Sequence, residues 1–138
     1  MIHLDSTEVE RVTTEMNKYL DGITIETLLI LRQKKFYYEM RLPEAQRRQD
    51  VAVLDLSPRA YHCLMRAGYT TIDSILKNCP DGDGESSKKK LLRLRNLGKG
   101  TADEILVKLF FYQFSVLPEE RRSAYMKHVL EMNMQAIA

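Results

Sequence analysis

Cysteine is scarce in this 138-residue sequence. Cys63 and Cys79 stand far apart, and no Cys-x-x-Cys occurs. That argues against a disulfide or zinc framework and for a reducing cytoplasm. Long apolar runs are missing too. The longest is Leu28-Leu29-Ile30-Leu31, against the roughly 20 residues that span a bilayer, so no membrane association is expected. The start has no basic segment leading into an apolar one, so no signal peptide is expected. Prolines number only 4, with no low-complexity tract, which argues against long disorder. Charge of one sign is nearly balanced: the formal net charge of +2 is too small to imply a nucleic-acid partner, so the distribution of charge matters more. Catalytic signatures are absent as well. There is no paired His and acid at ligand spacing, no nucleophile motif and no Walker-type loop. Asp81 and Asp83 lack the later ligands and closing Glu of a calcium loop, and a solvated loop is the better reading. No enzyme activity, cofactor or metal is expected.

What is present is a globular composition, 44% hydrophobic and 29% charged, patterned as one helix after another. Asp5 followed by Glu8 resembles a capping box. Val9, Val12, Met16 and Tyr19 then repeat at helical spacing, and Asp21-Gly22 ends the helix. Thr24 caps a second helix expected to run through Phe36, with Pro43 as its stop and residues 44–50 as a polar linker. Ser57-Pro58 is an N-cap followed by Pro at the first helical position. Ala60, Cys63, Leu64 and Ala67 form an apolar stripe, and Gly68 ends that helix. A short helix follows through Ile72, Ile75 and Leu76, then a polar loop over residues 80–87. Leu91, Leu92 and Leu94 suggest another short helix. Further helices are expected over residues 101–114 and 119–134, the last with Tyr125, His128, Val129 and Met132 on one face. The fold class is all-α.

One stretch demands more than helix punctuation. "RLRNLGKGTADEI", residues 93–105, sets cations, Asn96 and two glycines before a helix start. The layout is that of a helix-hairpin-helix, whose turn needs residues tolerant of positive φ. Leu97 would plug the seam, and Ala102 would let the helices approach. Gly98, Lys99, Gly100 and Thr101 would leave N–H groups free at a helix N-terminus, a ready phosphate site. Lys88, Lys89, Lys90, Arg93, Arg95 and Lys99 follow one another without an intervening acid. Such groups dominate nonspecific DNA affinity. A purely structural hairpin and a solvated lysine run remain the plain alternatives.

"LDLSPRAYHCLMRAGYTTIDSIL" followed by "LLRLRNLGKGTADEI" resembles the C-terminal domain of the bacterial RNA polymerase alpha subunit, over about residues 51–114. The resemblance implies a compact helical domain that binds the DNA minor groove upstream of promoters and touches activators and sigma factor. It carries DNA-binding roles to Arg59, Cys63, Gly98 and Glu104. It also carries one to Thr101, where the family has Ser. The sequence departs from the family at His62, where an Asn is usual, at Gly100, where a Lys is usual, and at Met65, where a Lys is common. Its loop over residues 80–90 is longer than the family's.

These readings give residues 50–114 as the alpha C-terminal-domain-like unit, 1–49 as an N-terminal helical extension and 115–138 as a C-terminal amphipathic helix. A free-standing protein of this kind is expected, without the large N-terminal domain of a true alpha subunit. The expected function is DNA binding in transcription. The contacts would be Arg59, His62, Cys63, Arg95, Asn96, Gly98, Lys99, Gly100, Thr101 and Glu104. The partner would be double-stranded DNA, with an A·T-rich minor groove favoured by its width. The alternative is a protein-interaction adapter that keeps the fold and binds polymerase, a regulator or itself. The departures at His62 and Gly100 favour that alternative.

Overall fold

The computed structural model describes residues 3–32, 36–78, 91–94 and 97–137. Arg95, Asn96, Lys34, Lys35, the loop over residues 80–87 and the lysines at 88–90 lie outside these. Seven α-helices are described: α1 (Ser6–Asn17), α2 (Ile25–Arg32), α3 (Glu44–Arg47), α4 (Pro58–Arg66), α5 (Ile72–Asn78), α6 (Lys99–Val116) and α7 (Glu119–Ile137). A 3₁₀ turn, Val51–Leu54, precedes α4. No strand occurs among the described residues, and one isolated bridge pairs Asp50 with Thr71. None of these helices is long and apolar enough to cross a membrane.

The helix starts follow their capping chemistry. The Asp5 side chain accepts the Glu8 N–H at 2.8 Å. Only half of the expected capping box forms, because the Glu8 carboxylate turns to Arg11 instead. That pairing holds Glu8 below the usual carboxylate range. Thr24 Oγ1 accepts the Thr27 N–H, and Asn17 Oδ1 accepts the Ile25 N–H, so α2 begins on a cap borrowed from the end of α1. Ser57 caps α4 through the Ala60 N–H, with Pro58 at the first position. Gly68 closes α4 at φ +80°, a conformation that suits glycine.

At the centre lies α6. It packs on α1, α4 and the 3₁₀ turn, while α2 packs on α7 and α3 on α5. Ala102, Ile105, Leu106, Leu109 and Phe110 are buried at helical spacing, and every residue from Leu109 to Ser115 is buried, so the second half of this helix has no polar face. Phe110 is fully buried, with Phe36 and Tyr38 rings each 5.1 Å from its own. Burying a ring of this size contributes roughly 1.5–3 kcal/mol. One hydrophobic cluster joins Leu4, Val12 and Leu28 to Val51, Leu64, Ile105 and Phe110, and on to Met126 and Val129.

Four expectations change. The second helix is described over Ile25–Arg32, and Phe36, expected on it, lies with Tyr38 buried on a segment outside any helix. Two buried amides hold that segment. Asn133 donates to the Tyr37 carbonyl and accepts its N–H. Gln113 donates to the Glu39 carbonyl and accepts the Arg41 N–H. The expected linker contains α3, started by Pro43. Ala67 is exposed beyond the buried stripe of Ala60, Cys63 and Leu64. On α7 the buried face is Met126, Val129 and Asn133, while His128 and Met132 are exposed. The expected face is off by one residue at either end because Asn133, a polar residue, belongs to the core.

Candidate nucleic-acid interface

The turn before α6 differs from the expectation in its backbone. Gly98 is the N-cap at φ −84°, and the helix starts at Lys99, two residues before the expected Thr101. The Ala102 N–H donates to the Gly98 carbonyl at 3.0 Å and closes the first turn. Gly98 therefore does not need positive φ. A Cβ added at Gly98 or Gly100 would meet nothing within 4 Å. Neither internal crowding nor backbone strain requires glycine at these two positions. With no side chain at the cap, no side-chain hydrogen bond closes the α6 N-terminus. The first N–H groups, beside the exposed Lys99, face outward at the positive end of the helix dipole. Leu97 and Ala102 are buried as the seam requires.

Leu91 is helical and Leu92 and Arg93 turn. The Leu94 N–H bonds the Leu91 carbonyl and the Leu97 N–H bonds the Leu94 carbonyl. These tight steps deliver the backbone to Gly98.

Glu104, one turn into α6, joins this helix start to that of α4. Its carboxylate accepts the Ser57 N–H at 2.6 Å and the Ser57 hydroxyl at 2.8 Å. Ser57 is the cap of α4, so Glu104 fixes where Arg59, in the first turn of α4, sits relative to Gly98, Lys99, Gly100 and Thr101.

Arg59 and His62 are exposed and line one shallow concavity, with Cys63 buried at its floor. Arg66 lines the same concavity. Sequence reasoning passed over it, although the spacing Arg59, His62, Cys63, Arg66 is i, i+3, i+4, i+7 on one helix face. Among the described residues, Arg11, Arg41, Arg47, Arg48 and Arg122 each hold a carboxylate. Arg59 and Arg66 hold none there, which leaves an electropositive face. Met65 is half-buried against the core, so it takes no part in this face.

An all-helical domain with an open, cationic helix-start face is thus the class that fold and site define. Residues 39–110 match the family of C-terminal domains of the bacterial RNA polymerase alpha subunit, and the protein belongs to that family. Among curated proteins it is similar to the DNA-directed RNA polymerase subunit alpha of Desulforudis audaxviator (strain MP104C). The identity is 28% over 104 residues, covering 72% of this sequence and 28% of the relative. It is also similar to the subunit alpha of Carboxydothermus hydrogenoformans, at 34% over 67 residues, 49% of this sequence and 19% of the relative. A third, from Alkaliphilus oremlandii, is 38% identical over 56 residues, 41% of this sequence and 15% of the relative. The match thus spans under a third of the length of these relatives. No solved structure matches it significantly.

Proposed function

We propose that the protein binds double-stranded DNA and acts in transcription, in the cytoplasm, as a binding unit without catalysis. The observation that carries this reading is the Glu104–Ser57 link. It sets Arg59, which holds no carboxylate among the described residues, beside a helix N-terminus whose two glycines nothing inside the fold requires. Close approach of a phosphate explains all three features together. The Gly98 to Thr101 backbone would take one phosphate, with Lys99 supplying charge. Arg59 and His62 would reach the edge of the minor groove, where A·T-rich sequence narrows the groove and draws cations in. Arg95 and Asn96 belong to the same contact set by position. Cys63 shapes the floor and Glu104 holds the two helix starts in register. Residues 50–114 are the binding unit, with the flanks 1–49 and 115–138 completing its core. Family membership supports polymerase or transcription regulators as further partners.

A protein-interaction adapter is the second reading. It is favoured by Ile30 and Leu31 on α2, which are 68% and 54% exposed, since large apolar side chains on a surface suit a protein contact.

The deciding experiment is a fluorescence-anisotropy titration of an A·T-rich duplex at low and moderate salt. Binding that weakens steeply with salt, and about tenfold or more on Arg59→Ala, is expected from lost phosphate contacts. Arg59 is exposed, so the variant should keep its stability within about 0.5 kcal/mol. No binding at low salt would overturn the DNA reading and leave the adapter.

A further inference from the structure

Arg66 ends α4, and a cation in the last turn of a helix is favoured by the dipole alone. The dipole does not explain why Arg66 lines the same concavity as Arg59 and His62. Arg66 also has no carboxylate partner among the described residues, as the exposed Arg121 has none, so its charge is uncommitted. Arg59 and Arg66 are two turns apart on one face, a rise of about 10.5 Å at 1.5 Å per residue. That is well above the axial rise of about 3.4 Å between successive charges of one DNA strand. The two guanidiniums therefore have room to take different phosphate groups, with the His62 ring between them.

We propose that Arg66 is a second phosphate-binding cation of this interface, so that α4 grips the DNA backbone at two points, Arg59 at its first turn and Arg66 at its last. This rests on the DNA-binding reading above. Arg66 contributes charge and position; it reads no base. Its removal weakens binding to all sequences alike and lowers the salt dependence.

The test uses the full-length protein and two duplexes, one A·T-rich and one G·C-rich, titrated over a series of salt concentrations. Arg66→Ala is expected to reduce the slope of log K against log salt by about 0.9, the value of one phosphate contact. It should leave the ratio of affinities for the two duplexes unchanged, and Arg66→Lys should restore the slope. Lys18→Ala is the control, because Lys18 lines a separate cleft between α1 and α7. An equal loss of slope there would reduce the effect to net charge and overturn the assignment. Wild-type binding that depends on Arg59 but keeps its slope in Arg66→Ala would overturn this proposal alone. No wild-type binding at low salt would overturn it together with the reading it rests on.

Discussion

Two corners of the molecule treat charge in opposite ways. Where α1 meets the junction of α6 and α7, the charged groups are committed. Arg122 Nη1 donates to Glu15 at 2.6 Å, its other nitrogens donate to the Leu117 and Ser115 carbonyls, and its guanidinium lies 5.2 Å from the Phe114 ring centre. Glu15 also holds Arg11, which holds Glu8. Where α4 meets the start of α6, Glu104 and Ser57 are paired, while Arg59 and Arg66 hold no carboxylate among the described residues. The first corner is a joint and the second is a surface kept available. A domain that had only to fold would gain from pairing Arg59 and Arg66 as it pairs Arg122. Their charge stays uncommitted where that of Arg122 is spent on the fold.

The comparison breaks most severely in the core that supports both corners. Phe110→Ala should cost about 3–5 kcal/mol in urea denaturation, and both corners should fail together. A smaller loss would mean that α6 is not their common support. Next comes Glu104→Ala. Losing two hydrogen bonds to a carboxylate should cost about 1–3 kcal/mol. DNA affinity should fall although a negative charge has been removed. Affinity that rises instead would show that Glu104 acts only by repelling phosphate.

A third change belongs to the closed side of the molecule. Burial raises the Tyr125 phenol above its ordinary value of 10.0. Its hydroxyl donates to the Glu39 carbonyl and accepts from Gln113. The fold thus favours the neutral phenol. The stability this gives is full below pH 10.0 and is lost as pH rises beyond it. Tyr125→Phe should cost about 1 kcal/mol at neutral pH from lost hydrogen bonding. It should also flatten the fall in melting temperature between about pH 9 and pH 11. An unchanged alkaline limb would place that sensitivity elsewhere.

The smallest effect is the most discriminating. Gly100 is helical and has open space where a Cβ would go, so Gly100→Ala should stabilise the fold by about 0.5–1 kcal/mol. Binding should weaken at the same time, because the added methyl stands where a phosphate approaches. A variant that gains stability and keeps its affinity would remove the glycines from the interface.

Much of this is legible in the sequence where local chemistry decides structure. Asp5, Thr24 and Ser57 announce their helices because a cap is a short-range hydrogen bond. The family is legible because its two motifs occur in order. Helix α6 is legible through Ala102, Ile105, Leu106, Leu109 and Phe110, which are spaced helically and buried, whereas the all-round burial of residues 111–115 leaves no period to read. Phe36 reads as helical because the apolar pattern from Ile25 continues past ten residues, and the segment's real partners, Gln113 and Asn133, are distant in sequence. The link from Glu104 to Ser57 is hidden for the same reason. A single acid on a helix gives no sign of the cap it will meet.

The segment over residues 36–42 has a consequence for solubility. It belongs to no helix, and its backbone polar groups find no ladder of their own among the described residues. Its backbone groups at Tyr37, Glu39 and Arg41 would otherwise form an open edge, ready to pair with the same stretch of another molecule. The side-chain amides of Gln113 and Asn133 occupy that edge as a neighbouring strand would. Gln113 of α6 and Asn133 of α7 therefore act as guards against self-assembly as well as pieces of core. A variant that lost both amides would uncover a template for cross-β pairing in an otherwise helical protein.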